Sequence, residues 1–109
     1  MGQPHNPWAG EVALVLDGIP HLCKLTLGAL AELETQLGEA SLVGLVERFE
    51  ADEVSATDVL GLVVAGLRGG GWTGTARDLL SVDIEGGPIA ASKAAARMLT
   101  LAFALPGEG

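Results

Sequence analysis

The stretch LTLGALAELETQLG, Leu25 to Gly38, decides the fold, because an extended segment turns there directly into a short amphipathic helix. Thr26 is placed to act as N-cap, its hydroxyl accepting from a first-turn amide that has no partner inside the helix. Gly38 can take the left-handed conformation that closes the other end. The spacing predicts a helix from about Leu27 to Leu37. Leu30, Leu33 and Leu37 recur at the three-and-four spacing of one buried face, leaving Glu32, Glu34, Thr35 and Gln36 to solvent or a partner. None of these side chains is chemically reactive. The stretch is a packing element, and any functional meaning comes from what the packed surface touches.

Immediately upstream, Glu11 to Thr26 reads as a β-hairpin. The β-prone runs EVALVL and HLCKLT flank Asp17-Gly18-Ile19-Pro20, and Asp-Gly is a strong turn signal. A two-residue loop sets Leu14 opposite His21, whereas a four-residue loop sets it opposite Cys23. Both registers have the same parity, so Val12, Leu14 and Leu16 share a face with Cys23 and Leu25, and that face belongs on the helices. Two strands alone are marginal and need helices beneath them or a strand added by a neighbour. Cys23 reads as a small buried apolar residue rather than a nucleophile, since no base is paired with it by motif. His21 is near enough to act as that base, but the hairpin supplies no third group to orient it. The segment before the hairpin, MGQPHNPWAG, reads as an extended arm. His5 in it reads as solvated, because a zinc site needs about four donors and the chain holds one Cys and two His; Trp8 reads as a pin holding the arm to the domain.

Downstream, Ser41 is the cap of a second helix over about Leu42 to Glu50, with Leu42, Leu45, Val46 and Phe49 forming its core stripe. The acidic cluster Glu47, Glu50, Asp52 and Glu53 has neither the ligand spacing nor the turn glycine of a calcium loop. It reads as a solvated bend, with docking of a basic segment as the alternative. Ser55-Ala56-Thr57-Asp58 resembles a capping box and starts a helix to about Arg68. On that helix Val59, Leu60, Leu62, Val63, Val64 and Leu67 fill an arc of about 200°, wider than the roughly 100° stripe of one packing surface, so it should be enclosed on more than one side. Gly69-Gly70-Gly71-Trp72 ends it as a C-cap and flexible joint; a phosphate loop would precede a helix and carry Lys-Ser or Lys-Thr. Trp72 fits either burial against the core or use as an interaction anchor. Thr73 or Thr75 caps a brief helix through Arg77, Leu79 and Leu80, ending near Asp83. Pro88 then sits in the first turn of a last helix, about Ile89 to Ala104. Ile89, Met98, Leu99, Leu101, Phe103 and Leu105 are spread nearly all round it, leaving a polar arc of roughly 60° with Lys93, Arg97 and Thr100. Such a helix is central or partner-bound. Lys93 and Arg97 form a small basic ledge, read as solvated and favourably placed toward the helix C-terminus.

The fold class expected is therefore α+β, mainly α: an N-terminal β-hairpin followed by four to five short helices. Residues 1–10 form the arm, 11–105 a single domain and 106–109 a tail. A chain of 109 residues is one small domain with little margin of buried surface. Fourteen acidic against six basic side chains give a formal net charge of -8, which repels nucleic acid and favours a basic or apolar partner. One cysteine forms no intrachain disulfide, no charged-then-apolar leader is present, and no apolar run approaches the roughly 20 residues needed to span a bilayer. The expectation is a soluble protein of a reducing cytoplasm. No constellation for enzymatic work, cofactor or small-molecule binding appears. Two helices with more apolar surface than one core needs point instead to contact with another molecule.

GEVALVLDG (Gly10 to Gly18), LTLGALAELETQLG, SLVGLVERF (Ser41 to Phe49), SATDVLGLVVAGLRGGG (Ser55 to Gly71) and the closing LAFAL (Leu101 to Leu105) together carry a resemblance. They resemble the small tail-assembly protein of bacterial gene transfer agents, a family grouped with phage tail assembly chaperones and also labelled a tail tube protein. The likeness covers nearly the whole chain from Gly10 onward. It implies a non-enzymatic protein, active in the bacterial cytoplasm during particle assembly, that binds the tape measure protein and helps tail tube subunits assemble around it. An apolar groove with an acidic rim would suit that task. The groove residues expected from surplus apolar arc are Leu62, Leu67, Trp72, Leu99 and Phe103, with Glu47, Glu50, Asp52 and Glu53 steering basic segments toward it. The alternative is a structural subunit retained in the finished tail, held by hairpin edge pairing and the terminal helix; a homo-oligomer is compatible with either.

Overall fold

The hairpin takes the shorter of the two possible loops. In the computed structural model, which describes residues 11–38 and 41–103, β1 (Glu11–Leu16) pairs antiparallel with β2 (Ile19–Lys24), with Leu14 opposite His21 and Leu16 opposite Ile19. The arm expected over 1–10 with His5 and Trp8, the expected end of the last helix at Ala104 with Leu105, and the tail at 106–109 lie outside the described residues. Asp17 and Gly18 both adopt positive φ, 51° and 82°. That is the backbone a two-residue loop needs to follow the right-handed twist of its strands, and it explains why Asp-Gly stands there. The anticipated parity follows: Leu14, Leu16, Cys23 and Leu25 are buried together, with Val12 partly buried beside them.

Each helix begins where a side chain can satisfy its orphan amides. Thr26 accepts from the Ala29 amide at 3.0 Å and starts α1 (Leu27–Leu37), which Gly38 closes at φ 62°. Ser41 accepts from the Gly44 amide at 3.1 Å and starts α2 (Leu42–Glu50). Before α3 (Ala56–Gly69), Ser55 and Asp58 exchange hydrogen bonds in a full capping box, 3.0 Å and 3.1 Å. Thr75 and Asp78 build a second one before α4 (Ala76–Leu80). The last helix, α5, runs Gly87–Phe103.

Helix α4 stops at Leu80, short of the expected Asp83, because after a turn at Ser81 and Val82 the residues Asp83 to Glu85 bond to the hairpin. The Asp17 amide donates to the Asp83 carbonyl at 2.8 Å, the Asp83 amide donates to the Asp17 carboxylate at 3.0 Å, and the Glu85 amide donates to the Val15 carbonyl at 3.0 Å. Leu16 and Ile84 bridge between them. The segment caps one end of the β1 edge and satisfies backbone groups that a helix continuing to Asp83 would have turned elsewhere.

Helix α3 is the centre of the domain, packed against β2, α1, α5 and α4, while α5 also lies on β1. The consecutive run from Leu62 to Leu67 is buried, which is what its wide apolar arc required. Opposite it, α5 presents Ala91, Ala94, Ala95, Met98 and Leu99. The three alanines let the two helices approach closely, and Gly66 makes room for Met98: a Cβ there would collide with Met98 Sδ and lie 2.8 Å from Met98 Cε. The end of α3 presses even harder on the hairpin. A Cβ at Gly69 or Gly70 would run into the carbonyl oxygen of Lys24 or Leu22, so these glycines serve close approach and not only the joint expected of them.

Candidate functional site

Two apolar depressions open on the surface formed by the described residues. Among the described residues the large hydrophobics left exposed are Ile19, Leu27, Val43, Leu80, Ile89 and Phe103. Leu80 helps to line one groove, Val43 and Phe103 a second.

The first is a groove of about 350 Å³ where α3, α4 and α5 meet. Its walls are Val59, Leu60 and Val63 from α3, Leu79 and Leu80 from α4, and Ile84 from the extended segment. Pro88 and Ala91 close it from α5, and Ser55 and Ser92 are the polar residues on its lining. Leu79 and Leu80 divide the labour of a one-and-a-half-turn helix: Leu79 is buried at 4% exposure and anchors α4, whereas Leu80 stands 72% exposed at the lip. The sequence reading missed this groove. Its signals were the Leu79-Leu80 pair, too apolar for so short a helix, and the Val59-Leu60 end of the wide arc on α3.

The second is a slot of about 310 Å³ between α2 and the end of α5, lined by Leu42, Val43 and Val46 with Phe103 opposite. Glu47 and Glu50 also line it. Phe103, Glu47 and Glu50, all anticipated as partner-binding, are thus brought together.

The other anticipated residues are not. Leu62 and Leu67 have no exposed surface and Leu99 keeps 5%, so all three belong to the core and the expectation that they line an open groove is corrected. The physical reason is the central position of α3: hairpin, α1 and α5 cover the arc that looked surplus. Trp72 is half-buried against the core, its amide donating to the Leu67 carbonyl at 2.9 Å, and it sits near Pro20, His21 and Leu22, lining neither the groove nor the slot. Asp52 and Glu53 are exposed on the bend after α2, Asp52 at a positive φ of 59°, and they too lie outside both linings.

The charges are distributed to leave the slot acidic. Arg48 would neutralise its neighbours on α2, but its guanidinium is forked onto Asp58, Nε to Oδ2 at 2.9 Å and Nη2 to Oδ1 at 2.8 Å. That bond to Arg48, helped by the Ser55 amide and opposed by partial burial, holds the Asp58 carboxyl below the usual aspartate range. The same fork raises Arg48. It ties α2 to the first turn of α3, where a carboxylate also favours the helix dipole. Arg68 is likewise engaged, with Glu32 at 3.1 Å and the Gly74 carbonyl at 3.0 Å. Glu47 and Glu50 have no basic partner among the described residues, and Lys93 and Arg97 on α5 have no acidic one.

Cys23 is fully buried, and burial pushes its thiol up to about 12, so it stands as a neutral packing group under the hairpin. Among the described residues no three His, Cys, Asp or Glu side chains are grouped to hold a metal ion, and no helix is long and apolar enough to cross a membrane.

Comparison with known proteins agrees with the resemblance carried by the sequence. No curated protein and no solved structure matches the chain. The family model described as phage tail tube protein, GTA-gp10, matches residues 9–105, a span that holds the hairpin and all five helices, and the chain belongs to that gene transfer agent tail family.

Proposed function

We propose that this tail protein is a non-enzymatic assembly chaperone that holds an apolar helical segment of the tape measure protein until tail tube subunits replace it. The observation that carries this reading is the groove between α3, α4 and α5, apolar along nearly its whole lining and open to solvent at Leu80. A tape measure protein is long and helical with apolar seams, and an amphipathic helix enters such a groove through residues one turn apart. Two or three inserted aliphatic side chains, at about 1.5–3 kcal/mol each when fully buried, offset an association cost of about 4 kcal/mol or more and leave a complex weak enough to be displaced. The formal charge of -8 favours basic flanking residues on that helix and opposes nucleic acid. The work would take place in the bacterial cytoplasm during particle assembly.

A second reading, a tube subunit retained in the tail, is favoured by the family description. The hairpin edge pairing expected with it is not open at β2, whose Leu22 and Lys24 carbonyls are covered by Gly70 and Gly69 at the end of α3. Mass spectrometry of purified particles separates the readings. A chaperone that departs is absent or present in trace amounts, and stoichiometric copies would favour the tube subunit.

A further inference from the structure

We propose that the exposed face of α5 is a two-fold contact between two copies of this chain. The proposal stands apart from the tail reading, since it rests on surfaces of the chain alone. Ile89, Lys93, Ala96, Thr100 and Phe103 are all exposed, and they recur at alternating spacings of four and three, the repeat by which two helices pack along a seam. The ends of the seam are apolar, with Ile89 69% and Phe103 45% exposed, and its middle is the small Ala96.

Laying this face against its own copy in antiparallel fashion, with the dyad at Ala96, brings unlike ends together. Ile89 and Phe103 each lie seven residues from Ala96, about 10.5 Å along the axis. Ile89 of one copy therefore arrives beside Phe103 of the other, at the slot formed by Leu42, Val43 and Val46. The charges agree with the same placement. Lys93 and Arg97, one and two turns inward from Ile89, have no ion-pair partner among the described residues, and neither do Glu47 and Glu50 on the slot. The two-fold places Lys93 of each copy about one turn from Phe103 of the other, and so toward its acidic slot, with Arg97 beside the axis, and it makes every contact twice, as an isologous interface must. A foreign basic helix would fit the slot but leave Lys93 and Arg97 unanswered. A second copy answers both.

The test is sedimentation equilibrium on the full chain, with two charge-reversed versions. One carries Glu47→Lys and Glu50→Lys, the other Lys93→Glu and Arg97→Glu; all four positions are exposed, and circular dichroism checks that each version is folded. Wild type should show a concentration-dependent monomer–dimer equilibrium. Each reversed version should dimerise at least about tenfold more weakly, a change of about 1.4 kcal/mol, and an equimolar mixture of the two should regain the dimer, because each then faces its opposite charge. A wild type that stays monomeric, reversed versions that dimerise as wild type does, a mixture that fails to associate, or an assembly larger than two copies would each overturn the proposal. So would hydrogen exchange showing that the α5 face is protected only when a basic amphipathic peptide is added, which would assign it to a foreign partner.

Discussion

Two glycine-to-alanine changes in the same helix should move stability in opposite directions. At Gly61, inside α3, an added Cβ would meet Leu33 Cδ1 at 3.8 Å, an ordinary contact. Gly61→Ala should therefore realise the helix-propensity gain of about 0.8–1 kcal/mol. At Gly69 the same atom would fall on the Lys24 carbonyl oxygen, 3.2 Å from its carbon, with Ala29 Cβ at 3.3 Å. A backbone carbonyl in a paired strand cannot swing aside as a side chain can, so α3 must slide off β2, at a cost of about 1–3 kcal/mol or more. Even after any propensity gain at that helix end, Gly69→Ala should lose about 1–2 kcal/mol, placing the two variants about 2–3 kcal/mol apart. Urea unfolding followed by far-ultraviolet circular dichroism reads this as a change in midpoint at constant slope. Thermal unfolding should separate the variants by about 4–8 °C for each kcal/mol. Equal stabilisation by both changes would refute the close seating of α3 on the hairpin, and with it part of the reason that Leu62 and Leu67 are buried.

The remaining predictions concern the caps and the buried thiol. Ser55→Ala removes one half of the capping box on α3 and should cost about 1 kcal/mol in the same urea experiment. The Asp58 carboxyl is held below its ordinary value by Arg48, so its contribution is complete above the unfolded aspartate value of about 3.9 and is lost as pH falls through the lower folded one. Wild type should accordingly lose stability in acid more steeply than Asp58→Asn, measured as the difference between the two at each pH, and parallel curves would contradict the fork. Cys23 is raised from 9.0 to about 12, so its contribution is full below pH 9 and declines as pH rises toward 12. Its slope approaches about 1.36 kcal/mol per pH unit. Labelling of Cys23 by an aromatic disulfide should follow the unfolding curve in urea, and rapid labelling of the native protein would show that the thiol is open.

Local chemistry made much of the fold legible in advance. Helices α1 and α2 have the bounds their caps and apolar spacing define, because Thr26, Ser41 and Gly38 act on amides and carbonyls within four residues. The hairpin face was legible for a similar reason: either loop at Asp17-Gly18 preserves the parity of Leu14, Leu16 and Cys23. What failed was long-range. Three residues at Asp83 to Glu85 join β1 from sixty-odd positions away, and no periodicity can be read in so short a run. The arc on α3 revealed how many sides would be covered but not by which elements, so Leu62 and Leu67 were assigned to a partner when the hairpin, α1 and α5 already cover them. Leu99 differs for the same reason, since the close approach of α5 to α3 leaves it only 5% exposed. For the candidate sites, Glu47, Glu50 and Phe103 stood out by charge and size, while the groove depends on α4 being turned so that Leu79 points in and Leu80 out.

The groove itself is open to the most direct test. Leu80 is 72% exposed, so Leu80→Glu leaves the core intact while placing a charge at the lip of the apolar lining. Wild type and Leu80→Glu should be co-expressed with the tape measure protein and the tagged chain recovered at equal yield. The account predicts that wild type brings the tape measure protein with it in soluble form and that Leu80→Glu recovers at least about tenfold less, the loss expected when about 1.4 kcal/mol of binding is removed. Equal recovery by the two, or none by wild type, would contradict it.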